Sequence, residues 1–387
     1  MRVLIPCFSV RGHHLQFAIH LARAASTLGA TPVLLLPRSA GRSGEFAAHI
    51  GNGGVGEIHE LLSPHRPGSL MSAVRQRLEV RRLTAQLRCD RLWVHFADSF
   101  ALGDLLLGSR KWPIPVETLF LHGRYAYSVM DRSIGSGAIA RTATLSGRWD
   151  TVWHLDPISS RYLREQGFPV GLMPEPVEPP VSADVREVRR RLGLPDDRIV
   201  IGVLGNLDER KGIRTVANAF LRLRPRNLTL ALLGKVDASI RTELADMIRC
   251  APRGSIIHRD EVLSKEDFEG ALIGCDWHSV VYPRHFGSSG ILARACANNR
   301  PVLASSFGWI GEATRRYGLG HVCDATSVDA VAEQLDSISR EPVFRFSESS
   351  DAFRRFNTIE NFGAHWTVKL RRALGSGDHP GLVQLPL

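Results

Sequence analysis

The chain has 387 residues, a length that suits two domains. Hydrophobic residues make up 44% and charged residues 23%, which excludes a disordered chain, a collagen-like one and a small disulfide scaffold. The formal charge is +10, and it is uneven: residues 1–150 carry 18 basic and 10 acidic side chains, the remainder 31 and 29. Five of the bases are lysine and 44 arginine. A GC-rich genome would favour arginine in this way. A basic first half also suits an anionic partner such as a membrane, a nucleic acid or a phosphorylated acceptor.

The six cysteines (Cys7, Cys89, Cys250, Cys275, Cys296 and Cys323) form no C-x-x-C pair. Their spacing fits neither a zinc site nor a disulfide framework, so they read as small buried hydrophobes in a reducing compartment. No metal site is expected. Met1-Arg2 leads into Val3-Leu4-Ile5 and then Pro6, far short of the apolar core of a signal peptide. No run reaches the length of a membrane span. A cytoplasmic chain is expected, with any membrane contact peripheral.

The first strand is predicted at 2–8, followed by a Gly12-containing loop, a helix near 14–28 ended by Gly29, and a strand at 32–36. This strand–helix–strand unit opens a parallel sheet. Residues 39–56 are Gly-rich and read as irregular. Residues 71–88 read as an amphipathic helix, with Arg75, Arg77, Arg81, Arg82 and Arg88 on more than one face and Leu78, Leu83 and Leu87 opposite. Such a helix is either solvated and packed on the sheet, or a surface for anionic lipid. Strands follow at 91–97, 114–121 and 151–155, then a short helix at 159–167. His95 and Asp98 end one of these strands and read either as cleft-lining groups or as a satisfied surface pair.

Residues 174–184, PEPVEPPVSAD, have the composition of a linker. A second set follows: strands at 199–204, 228–233, 255–258, 277–282 and 301–304, with helices at 212–223, 237–249, 264–273 and 289–298. Helices near 328–339 and 349–373 close the chain. The fold class is α/β, with two Rossmann-like doubly wound domains expected to face a cleft. The expected division is a first Rossmann-like domain at 1–177, a linker and leading helix at 178–198, a second Rossmann-like domain at 199–345, C-terminal helices at 346–374 packing back on the first domain, and a loose tail at 375–387.

Two loops carry chemistry. Gly205-Asn206-Leu207-Asp208-Glu209-Arg210-Lys211-Gly212 joins a strand to a helix N-terminus, where backbone N–H groups and the helix dipole favour phosphate and Lys211 can reach a diphosphate. His285-Phe286-Gly287-Ser288-Ser289-Gly290 repeats the arrangement at another helix N-terminus of the same sheet edge. Each loop alone also reads as an ordinary turn; their coincidence points to an anion. No G-x-S-x-G is present to support hydrolase chemistry. No G-x-G-x-x-G follows the first strand, as a dehydrogenase would require. No basic platform interleaved with aromatics suggests nucleic acid.

These stretches resemble a known family. GNLDERKG at 205–212, LALLGK at 230–235 and HFGSSGILARACANNRPVLAS at 285–305 are similar to the retaining GT-B glycosyltransferases of group 1, family 4-like, which include sucrose and glycogen synthases and bacterial mannosyltransferases. The resemblance is clear over 199 to about 320 and looser before that. It implies transfer of a sugar from a nucleotide-diphosphate donor to a hydroxyl acceptor, with retention, without metal or cofactor, in polysaccharide or glycolipid assembly. It implies donor contacts from Gly205, Asn206, Arg210, Lys211, His285, Gly287, Ser288, Ser289, Gly290 and Arg294. His122, in VETLFLHGRY, would lie beside the reacting sugar as the catalytic position. Gly12 and His13 would lie on the acceptor side. A lipid-linked acceptor and an anionic membrane surface are suggested by the basic first half.

The chain departs from the family in two places. Asn206 stands where an arginine is usual. The paired glutamates around the second loop are missing: no Asp or Glu occurs between Asp276 and Glu312, and Arg294 occupies the ribose-binding glutamate's position. A carboxylate accepts hydroxyl hydrogen bonds, whereas arginine only donates. Arg294 could instead meet phosphate or a carboxylated donor. A degenerate protein that binds nucleotide or a partner without turnover is therefore a second reading, and a nucleotide-sugar epimerase a third.

Overall fold

A computed structural model describes residues 1–9, 13–38, 40–42, 55–63, 69–107, 112–121, 148–377 and 381–386. The chain divides into two compact units, Met1–Pro176 with Ile359–Leu385, and Val177–Thr358.

In the first unit, strands β1 (Arg2–Pro6), β2 (Thr31–Pro37), β3 (Glu57–Leu61), β4 (Arg91–Val94), β5 (Val116–Phe120), β6 (Thr151–His154) and β7 (Val170–Leu172) form one sheet in the order β3-β2-β1-β4-β5-β6-β7. The neighbours pair in parallel. A parallel sheet covered by helices on both faces needs strands apolar on both sides. Val3, Leu4 and Ile5 meet this need, as do Val33 to Leu36, and all are buried. Helices α1 (His13–Ser26), α2 (Leu70–Gln86), α3 (Ala97–Leu106) and α4 (Pro157–Glu165) belong to this unit.

The second unit repeats the plan. Strands β8 (Ile199–Leu204), β9 (Leu228–Leu233), β10 (Ile256–Arg259), β11 (Trp277–Val280), β12 (Val302–Ser305) and β13 (Gly320–Cys323) run in the order β10-β9-β8-β11-β12-β13, again parallel. Helices α5 (Val185–Leu192), α6 (Ile213–Leu223), α7 (Arg241–Cys250), α8 (Lys265–Gly274), α9 (Gly290–Ala297), α10 (Gly308–Arg316), α11 (Val328–Arg340) and α12 (Glu348–Phe356) accompany them. Both sheets reverse strand order once, between β1 and β4 and between β8 and β11. Loops at the carboxyl ends of such a pair diverge and leave a crevice there, the usual ligand position in open α/β sheets.

Several expectations need revision. β3, β7, β13, α3 and α10, all short, are not expected from the sequence. The C-terminal helical stretch is broken at Asn357-Thr358. Its first part, α12, stays with the second unit, where Ser350 Oγ donates to Tyr317 O at 2.7 Å and Arg354 Nε donates to Cys296 O at 2.9 Å. Only α13 (Ile359–Ala373) packs in the first unit: Phe362, Trp366 and Leu370 join the core around α1, and Phe362 lies 5.3 Å from Phe17. The tail, expected to be loose, is held at Val383. The side chain of buried Asn361 donates to its carbonyl and accepts from its N–H, both at 3.0 Å. Cys250 is exposed rather than buried; the other five cysteines are buried.

The arginine helix also differs from its sequence reading. Arg77 is 1% exposed. Its Nε donates to Asp104 Oδ1 at 2.9 Å, and its guanidinium lies 4.2 Å over the Trp112 ring. Asp104 also accepts from Trp112 Nε1 at 3.0 Å and Trp149 Nε1 at 2.6 Å. Several donors thus converge on one buried carboxylate, which makes burial of the ion pair tolerable. Gly103 lets the two helices meet, since a Cβ there would stand 2.3 Å from Ala73 O. Leu78, expected on the packed side, is exposed instead.

Candidate functional site

The β8/β11 switch point brings together the two loops singled out by sequence. β8 ends at Leu204, and the chain continues beside the loop after β9. Gly205 N–H donates to Leu233 O at 3.0 Å and Leu207 N–H to Lys235 O at 2.8 Å. Gly205 has φ 90° and sits so close to Gly234 that a Cβ on the latter would be 1.8 Å from Gly205 O. A short 3-10 turn, Glu209–Lys211, then leads through Gly212 (φ 61°) into α6. A Cβ at Gly212 would stand 2.0 Å from Val281 O. Glycine is therefore required for α6 to begin against the end of β11.

This geometry turns the Lys211 side chain back over Gly205. Its Nζ donates to Leu204 O at 2.5 Å and to the Tyr282 hydroxyl at 3.4 Å, and lies 5.4 Å from the Tyr282 ring centre. The ammonium is thereby held between the carboxyl ends of β8 and β11. Nothing local in the sequence marks Tyr282, because its meeting with Lys211 depends on strand adjacency.

The second loop leaves β11 through Tyr282. The His285 ring packs edge-on against Tyr282 at 5.4 Å, and its Nε2 lies 2.6 Å from Ser288 O. Gly287 has φ 101°. Ser289 caps α9: its Oγ accepts from Leu292 N–H at 3.4 Å. The N–H groups of Gly290 and Ile291 precede any partner within the helix, so the first turn of α9 keeps donors for an anion.

Two predicted donor residues face other partners. Arg210 Nη2 donates to Asp208 Oδ2 at 2.8 Å, with its side chain 64% exposed. The Arg294 guanidinium lies 5.4 Å over the Phe268 ring of α8. Asn206 is exposed. In this structure Arg210 is thus paired with Asp208, two residues away.

In the first unit the equivalent switch point, β1/β4, carries different chemistry. His95 follows β4 and is fully buried, so it is not half of a surface pair. Its Nε2 meets His14 O at 3.0 Å, and burial pushes its pKa down to about 4. The His14 ring stacks on Phe96 at 3.4 Å. Asp98 Oδ2 accepts from Leu121 N–H at 2.9 Å. His122 and Gly12 lie outside the described residues; His13 opens α1, but its side chain is not described. Among the described residues no cluster of three or more His, Cys, Asp or Glu could hold a metal, and no helix is long and apolar enough to cross a membrane.

No family model matches the chain. Over 191 residues it is 25% identical to "Putative colanic acid biosynthesis glycosyl transferase WcaI" of Escherichia coli (strain K12), covering 45% of this chain and 46% of that protein. The match thus spans about half the length of the curated relative. Among solved structures, the chain resembles sucrose-phosphate synthase (tll1590) from Thermosynechococcus elongatus, with a TM-score of 0.77 at 14% identity over 97% of this chain and 100% of that one. It also resembles Anabaena Alr3699/HepE, solved with UDP and glucose, with a TM-score of 0.71 at 13% identity over 97% and 100%. By fold, this two-unit chain is of the GT-B type.

Proposed function

We propose that the chain is a glycosyltransferase that takes a nucleotide-diphosphate sugar at the β8/β11 switch point and transfers the sugar to a hydroxyl acceptor. The observation that carries this reading is the placement of Lys211 Nζ between Leu204 O and the Tyr282 hydroxyl, with Tyr282 packed against His285, whose Nε2 lies 2.6 Å from Ser288 O just before α9 begins. When the glycosidic bond of the donor breaks, negative charge grows on the terminal phosphate. An ammonium fixed in advance, together with the N–H donors at the start of α9, would stabilise that charge without reorganising. The solved likeness to a protein holding UDP and glucose agrees with such a donor.

The finer parts of the reading rest on the resemblance stated above: retention of configuration, no metal requirement, His122 beside the sugar, Gly12 and His13 on the acceptor side, and a place in polysaccharide or glycolipid assembly. Incubation with UDP-, GDP- and ADP-sugars, followed by release of nucleotide with and without hydroxyl acceptors, tests the reaction. Release accompanied by an α-linked product from an α-linked donor supports a retaining transfer. Conversion of the donor to its sugar epimer would move the assignment to an epimerase.

The missing carboxylates favour one competing reading. Arg294 lies against Phe268, and no acidic residue occurs between Asp276 and Glu312. A chain that binds nucleotide yet releases none from any donor, with any acceptor, would be a binding protein on a transferase fold.

A further inference from the structure

We propose that the outer face of α2 is a docking surface for an anionic lipid bilayer. At 3.6 residues per turn, the exposed and buried residues of this helix separate into two halves. The buried half holds Ser72, Ala73, Gln76, Arg77, Glu79, Val80, Leu83 and Thr84. The outer half holds Leu70, Met71, Val74 and Leu78 together with Arg75, Arg81 and Arg82. Leu70, Met71 and Leu78 are 56%, 60% and 51% exposed, so the helix shows water a continuous apolar strip bordered by arginines.

Charge identifies what would cover it. The outer half contains no acid. The only acidic residue of α2 is Glu79, and its carboxylate is turned away to accept the N–H groups of Leu62 and Ser63 at 2.7 and 2.8 Å. Arg77, the one arginine of α2 with a buried counter-charge, is also on the inner half. Arg75, Arg81 and Arg82 have no ion-pair partner among the described residues, whereas arginines of the second unit such as Arg190, Arg214, Arg222 and Arg241 each have one. Leu62, clasped to α2 through Glu79, is also 60% exposed. A protein core would not be left wet at three large side chains on one face, and an acidic protein partner would not call for leucine and methionine among the arginines. A bilayer with anionic headgroups and an apolar interior satisfies both sets of groups at once.

The test uses the full chain and co-sedimentation with phosphatidylcholine vesicles that do or do not contain phosphatidylglycerol. Binding is expected only with phosphatidylglycerol and should weaken as salt rises. Replacing all three arginines, Arg75→Gln, Arg81→Gln and Arg82→Gln, should lower partitioning by roughly a hundredfold, at about fivefold each. Replacing Leu70→Ser, Met71→Ser and Leu78→Ser should lower it by more than about tenfold. All six positions are outward-facing, so the variants should retain the parent's melting temperature, which is measured in parallel. Absence of vesicle binding at low salt would overturn the proposal, as would equal binding by parent and variants. Sedimentation velocity covers the remaining occupant: concentration-dependent dimers that the serine variant abolishes, without vesicle binding, would make this face an interface between copies and refute the lipid assignment.

Discussion

The two switch points share a topology and differ in chemistry. At β8/β11 a lysine is held by a carbonyl and a phenol beside a glycine- and serine-lined helix start. At β1/β4 the corresponding positions carry His14, Phe96 and a buried His95 that is neutral at ordinary pH. Yet the first unit holds the basic surplus of the sequence. Topology therefore offers a crevice in each unit, and local side chains decide whether it attracts an anion. Three arginines of that surplus, Arg75, Arg81 and Arg82, stand on the outer half of α2, while the near-neutral second unit holds the Lys211 ammonium at the ends of β8 and β11.

The largest expected effect concerns an arginine that only looks like surface charge. Asp104→Ala leaves Arg77 buried without its carboxylate, which should cost about 3–5 kcal/mol of stability. Urea unfolding would read this loss. If Arg77 were a surface charge like its neighbours, the change would be within about 1 kcal/mol.

Acid should also report on the burial of His95. The folded pKa of His95 lies near 4 against an ordinary 6.5. Between these values the unfolded chain binds a proton that the native state refuses, so stability is full above 6.5 and falls as pH drops toward 4. The loss amounts to about 1.4 kcal/mol per pH unit for this one group. Glu117, buried and titrating near 7, has the opposite sign: its contribution is present at low pH and is lost as pH rises from 4.5 through about 7. The two therefore partly offset each other. His95→Gln, which keeps a donor for His14 O, should lessen but not remove the decline between pH 6.5 and 4 measured by thermal melts, because burial pushes His154 and His278 down in the same way, to about 3 and about 4. An unchanged slope would place the acid-sensitive group elsewhere.

At the second crevice, Lys211→Ala should weaken nucleoside diphosphate binding by about 1.5–3 kcal/mol, the range of a charge-assisted hydrogen bond. The smallest effects are expected at the arginines turned elsewhere. Arg210→Ala and Arg294→Ala should each change nucleotide affinity by less than about 1 kcal/mol, since one is an exposed ion pair and the other stacks on Phe268. A larger loss for either in titration calorimetry would mean that the side chain swings to the ligand when it binds.

What could be read from sequence was whatever is local. The runs Val3-Leu4-Ile5 and Leu228–Leu233 declare buried parallel strands, and Gly205 to Gly212 declares a strand-to-helix turn with a lysine at its end. Strand adjacency was not local. Nothing near Tyr282 in sequence says that its hydroxyl meets Lys211, 71 residues earlier. The burial of Arg77 depends on Asp104, Trp112 and Trp149, three residues spread along the chain. Arg294 was matched correctly to a helix, but which neighbour it leans on is decided by α8. β3 escaped notice because Glu57, His59 and Glu60 give it little apolar character; it is an edge strand, where polar residues are tolerated.

The central claim is that Lys211 marks a diphosphate site, and thermal stabilisation by nucleoside diphosphates tests it most directly. The parent protein should be stabilised by at least one of UDP, GDP and ADP, and Lys211→Ala should lose most of that shift while keeping the parent's melting temperature without ligand. A parent indifferent to all three nucleotides, or a Lys211→Ala variant stabilised as fully as the parent, would contradict the account.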